Sequence, residues 1–131
     1  MARKLPVLIC IASLVFLSTC AFAEPTGEDA FIANVEGFLS IMHNKLEMCS
    51  SVLEELEADG KIPTAAYETA AKMRAKLGDK HADIGYRLEE YRKEPLPYRH
   101  DWILEDMEWF SEGIFMLGFE LEYWANRKVG I

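Results

Sequence analysis

His81 stands where an apolar residue is expected, in the series Ala70, Met73, Leu77, His81, Ile84, Leu88 and Tyr91, whose members are three or four apart. An imidazole inside such a stripe can ligate a transition metal or hydrogen-bond a buried acceptor. If the flanking segments fold back alongside, His81 comes level with about residue 41 upstream and about residue 110 downstream, and His43 and Asp106 lie within one turn of that level. His43, His81 and Asp106 are therefore the candidate ligands for zinc, copper or iron in a helical core. The signatures that usually accompany such sites are missing: the chain has no Glu-x-x-His, no Cys-x-x-Cys-His and no His-Glu-x-x-His. The favoured expectation is a lone histidine satisfied by Asp106 or by a backbone carbonyl.

Other chemistry-bearing residues point the same way. Met42, Met48, Met73, Met107 and Met116 have thioethers suited to copper or haem, but they fall on or beside apolar stripes, where core filling is their ordinary use. No cofactor is expected; a transition metal, or non-covalent haem between helices, is the alternative and rests on analogy of fold. Cys49 lies on an apolar stripe with Lys45 one turn earlier and no histidine beside it, so it is read as a buried thiol. Ser40, Ser50, Ser51 and Ser111 sit inside helical segments without the glycine-rich elbow of a serine nucleophile. No catalytic residue is assigned, and the chain is expected not to be an enzyme.

The last third of the chain holds a different kind of signal. Trp102, Trp109, Met116 and Tyr123 recur every seven residues, with Asp106, Gly113 and Glu120 interleaved. At about 100° per residue this row points away from the core stripe of the same segment, Ile103, Met107, Phe110, Ile114, Leu117, Leu121 and Trp124, and away from Leu104, Phe115 and Phe119 on a third side. Two neighbouring helices cannot cover that much apolar circumference, so part of it is expected to meet a partner or a second copy of the chain. Trp102, Asp106, Trp109, Met116, Glu120 and Tyr123 are the candidate partner-binding residues.

The elements that position these residues are legible from breakers and periodicity. Pro25 and Gly27, Asp59-Gly60 with Pro63, Pro95 and Pro97, and Gly130 divide the chain into segments of roughly 28–59, 63–94 and 97–128. Val35, Phe38, Met42, Leu46, Cys49, Leu53 and Leu56 give the first segment the same helical rhythm. Thr26 with Asp29 suggests a capping box, Pro63 and Pro97 suit helix first turns, and Gly60 suits a helix-closing turn. The spacing predicts an all-α fold, an antiparallel up-down-up bundle of three long helices, or four if the last breaks at Gly113 or Gly118. Along the second helix Ala71, Ala75, Gly78, Ala82 and Gly85 form a line of small residues, expected to face a neighbour inside the bundle rather than a second copy. Lys72, Arg74, Lys76, Lys80 and Arg87 on that helix, mixed with Asp79, Asp83, Glu89 and Glu90, read as a solvated face.

Residues 1–23 are read as a signal peptide: Arg3 and Lys4, an apolar run from Leu5 to Leu17, then Ala21-Phe22-Ala23 as the cleavage site. The run is shorter than the roughly 20 residues a spanning helix needs. Leu17-Ser18-Thr19-Cys20 offers a rival lipoprotein signal with a lipid anchor on Cys20, and is disfavoured because Thr19 is large for that position. Cleavage after Ala23 leaves one helical-bundle domain, 24–131, in the periplasm or outside the cell, with no stable membrane insertion. Loss of Arg3 and Lys4 moves the formal charge from −8 to −10, which disfavours nucleic acid as a partner. Of the three cysteines only Cys49 remains after cleavage, so no internal disulfide forms. The expectation is a small exported acidic helical protein that acts as an adaptor or assembly factor, with a periplasmic metal- or haem-binding bundle as the alternative.

Overall fold

The computed structural model describes residues 27–127, and they form three helices: α1, Glu28–Ala58; α2, Thr64–Lys93; and α3, Pro97–Asn126. The signal-peptide features, the cleavage site, Cys20, Thr26 and Gly130 lie outside the described residues. Local chemistry explains each boundary. Gly27 caps α1 at φ 137°, a conformation open to glycine, and its carbonyl accepts from Phe31 N–H at 2.9 Å. Gly27, the cap residue, has no side chain to bond the first turn, and the Thr26–Asp29 box expected from the sequence rests on Thr26, outside the described residues. At the other end Gly60 takes φ 65°; its N–H donates to Glu57 O (3.1 Å) and that of Lys61 donates to Leu56 O (2.9 Å), the paired bonds of a Schellman turn.

Proline sets the remaining boundaries. Pro63 occupies the cap of α2 rather than its first turn, with ψ 149° and its carbonyl accepting from Tyr67 N–H at 2.9 Å. Pro95 excludes helical geometry at Glu94, which is extended at φ −149°, ψ 95° and ends α2. Leu96 is extended before Pro97 for the same reason, and Pro97 opens α3 where its missing N–H costs nothing. Arg99 Nη1 then reaches back to donate to Glu90 O (2.9 Å) and Glu94 O (3.0 Å), satisfying carbonyls that the end of α2 leaves open.

All three helix pairs touch, α2 with α3 most and α1 with α3 least. Phe31 near the start of α1 meets Tyr91 near the end of α2 (ring centroids 5.1 Å apart), whereas Phe38 meets Phe110 of α3 at 5.8 Å, so α2 runs opposite to both neighbours. The core is the union of the expected stripes. All seven α1 positions are buried, as are Ala70, Leu77, Ile84, Leu88 and Tyr91 of α2 and Ile103, Met107, Phe110, Ile114, Leu117 and Leu121 of α3. No described helix is long and apolar enough to cross a membrane.

Two expectations about glycine are corrected. The last helix does not break: α3 runs through both Gly113 and Gly118, and the described residues hold three helices, not four. The line of small residues on α2 faces a neighbour only in part: Ala71 packs against the core. Ala75 and Ala82 are exposed, and a Cβ at Gly85 would meet nothing within 4 Å. At Gly113 of α3 a Cβ would lie 2.7 Å from Leu77 Cδ2, so the buried Leu77 side chain fills the space that a larger residue would need there.

Candidate protein-interaction surface

Packing three amphipathic rods leaves each with an outward arc, and on α3 that arc is apolar. Trp102 (49% exposed), Trp109 (44%), Met116 (63%) and Tyr123 (59%) all stay at the surface of the folded bundle. Phe119 is exposed beside them at 51%, with its ring set edge-on to Phe115 at 4.6 Å. Leu104, Phe115 and Trp124 are drawn partly into the core. The seven-residue row is therefore one surface feature about 32 Å long at 1.5 Å per residue.

The interleaved positions go elsewhere. Asp106 turns toward α2, where its Oδ1 lies 3.3 Å from Lys80 Nζ and its Oδ2 3.1 Å from Arg87 Nε. The Arg87 approach lies off the axis of a hydrogen bond, so Oδ2 is buried and held by charge alone. Those cations in turn cover the indoles: Lys80 Nζ sits 5.2 Å from the centre of the Trp109 ring, and Arg87 Cζ 5.0 Å from that of Trp102. The antiparallel register that sets Leu77 against Gly113 also sets Lys80 against Trp109 and Arg87 against Trp102. Asp106 thus braces the ridge from behind and is not displayed on it. Glu120 is exposed and accepts from Trp124 Nε1 at 2.9 Å.

Sequence reasoning missed the cations, treating Lys80 and Arg87 as part of a solvated face. Their seven-residue spacing, equal to that of Trp102 and Trp109, is the signal that pairs them across an antiparallel hairpin. Beside this array, at the α2–α3 turn, lies an open groove of about 340 Å³ walled by Tyr86, Tyr98 and Trp102. Tyr98 packs edge-on to Trp102 at 5.0 Å, which makes the groove continuous with the ridge.

The metal candidates are only partly assembled. His81 Nε2 donates to Leu39 O at 2.7 Å, close to the level expected from the hairpin register, and its ring lies 6.1 Å from those of His43 and Phe110. Asp106 is committed to Lys80 and Arg87, so His43, His81 and Asp106 do not converge. Among the described residues no three His, Cys, Asp or Glu side chains are placed to hold a metal ion. Met42 and Met107 are core residues and Met73 packs against the core, while Met48 and Met116 are exposed on different helices.

The Cys49 thiol is buried and free, and burial pushes it up to about 11 against the opposing charges of Arg74 and Lys45. At neutral pH it is almost wholly protonated and therefore a poor nucleophile. Ser50 Oγ accepts from Arg74 Nε at 2.8 Å, and the same guanidinium donates to Leu46 O at 3.1 Å, tying α2 to α1. Comparison with known proteins finds no matching family model, no matching curated protein and no matching solved structure.

Proposed function

We propose that the chain is a non-enzymatic exported interaction protein, an adaptor or assembly factor that docks another protein on the outward face of α3. One observation carries this: Trp102, Trp109, Met116 and Tyr123 remain 44–63% exposed in a row after the core has closed. Leaving such residues in water forgoes roughly 25 cal/mol for each Å² of apolar area, a cost that association recovers. The Lys80 and Arg87 stacks hold the two indoles in place beforehand, which lowers the entropy lost on docking. Export follows from the n-region, apolar run and cleavage site at the N-terminus.

The test uses a photo-crosslinking amino acid placed at 109 or 116 of the full chain in cells, with position 82 on the outer side of α2 as the control. Crosslinks to another polypeptide are expected from the two α3 positions, and Trp102→Ala with the crosslinker at 116 should remove most of them, since truncating a central aromatic anchor costs about 2 kcal/mol or more. Crosslinking from 109 and 116 no stronger than from 82 would remove the basis for the proposal.

A further inference from the structure

The charges beside the ridge are unevenly spent, and the imbalance describes the partner. α3 carries seven carboxylates, Asp101, Glu105, Asp106, Glu108, Glu112, Glu120 and Glu122, against one arginine. Along the edge facing α2 the acidic charge of α3 is spent, since Asp106 faces both Lys80 and Arg87. Along the other edge it is not. Glu105, Glu108 and Glu112 are exposed, flank Trp102 and Trp109 by the helical projection, and make no hydrogen bond or ion pair among the described residues. A long apolar row with unspent negative charge on its outer side asks for a partner with apolar residues in a line and positive charge beside them.

The spacing adds the partner's shape. A row repeating every seven residues runs almost parallel to its helix axis and drifts by about 20° per repeat, which is the geometry that a second helix with the same repeat follows. An extended strand, rising about 3.3 Å per residue, has no matching period along anchors about 10.5 Å apart. We infer that the α3 ridge binds a basic amphipathic helix of another protein, its apolar row against Trp102, Trp109, Met116 and Tyr123 and its lysines or arginines against Glu105, Glu108 and Glu112. This partner chemistry presupposes the docking role proposed above. A second copy of the chain is the poorer occupant. Pairing α3 with α3 sets unpaired carboxylates against each other, and of the α2 cations Arg74, Lys80 and Arg87 are engaged within their own chain, which leaves only Lys72 and Lys76 of that cluster to meet three carboxylates.

The experiment titrates the full chain with three synthetic peptides of about 22 residues, with leucine every seven residues and flanks of lysine, glutamine or glutamate. The lysine peptide is expected to bind at least tenfold more tightly than the glutamate peptide, to gain helical circular dichroism on binding, and to weaken as salt rises. Replacing Glu105, Glu108 and Glu112 together by glutamine, a residue the helix accepts, should weaken the lysine peptide about tenfold and flatten its salt dependence while leaving the thermal midpoint unchanged. Equal binding of all three peptides, dependent on Trp109, would overturn the charge assignment and leave docking intact. Absence of lysine-peptide binding while the crosslinks from 109 and 116 persist would overturn the basic helix as occupant and again spare docking; loss of both would end both. A Trp109-dependent homodimer by light scattering would overturn the inference in favour of a second copy.

Discussion

Replacing Asp106 by asparagine keeps the side-chain shape and removes the one charge that faces both Lys80 and Arg87. The Asp106 side chain is only 13% exposed, while those of Lys80 and Arg87 are 26% and 38% exposed. A charged hydrogen bond in a dry site contributes about 1.5–3 kcal/mol and an exposed ion pair about 0–1. This pair of contacts sits between those limits: the contact with Lys80 is long at 3.3 Å, and that with Arg87 is electrostatic without hydrogen-bond alignment. About 1 kcal/mol each, so about 2 in all, is the expected loss, and the two cations are left to repel one another. For a domain of this size that lowers the thermal midpoint by about 10 °C. Circular dichroism at 222 nm measures it, and the deficit should shrink in high salt. The indoles give a second readout: with Lys80 and Arg87 released, Trp102 and Trp109 should become more accessible to a neutral quencher. A midpoint within 2 °C of the parent protein, with unchanged quenching, would show that Asp106 braces nothing.

Gly85→Ala and Gly113→Ala make the same chemical change with opposite expected signs. At Gly85 the new methyl meets nothing within 4 Å, so the helical preference for alanine should raise stability by about 1 kcal/mol; at Gly113 it meets Leu77 Cδ2 at 2.7 Å, and overpacking of about 1–3 kcal/mol should cancel or exceed that gain. Chemical denaturation of both variants checks this, and a more stable Gly113→Ala protein would refute the close approach. Cys49 should resist a thiol reagent at pH 8 in the folded protein and react promptly in guanidinium. Its pKa is raised from 9.0 to about 11, so between those values the unfolded chain gives up a proton that the folded chain keeps, and stability should fall with rising pH by up to about 3 kcal/mol. Cys49→Ala should lack that alkaline loss, and an equal loss in the variant would assign it to other groups.

Much of this architecture was open to reading from one chain because it depends on local rules. Apolar spacing of three and four, together with Pro63, Pro95, Pro97 and Gly60, places three helices to within a residue or two, since backbone geometry and the loss of an N–H act over one turn. The exposed row on α3 was legible for a related reason: a helix has only so much circumference to bury, and Trp102, Trp109, Met116 and Tyr123 lie beyond it. The level of His81 against Leu39 and Phe110 followed from short connections, but its acceptor did not, because Asp106 and a backbone carbonyl were both within reach of the register.

What the tertiary structure alone decided is which side each residue of an element faces once a second and third helix compete for it. Periodicity gives angles around one axis and leaves the rotation between axes open. That rotation turned Asp106 from a display residue into a brace for Lys80 and Arg87, placed those cations over the indoles, and directed Asp106 away from the His43 and His81 pair. It also set the Leu77 side chain against Gly113 while Ala75 and Ala82 of the small-residue line on α2 face solvent, because packing depends on which residue meets the neighbouring rod and not on the residue types available elsewhere along the helix.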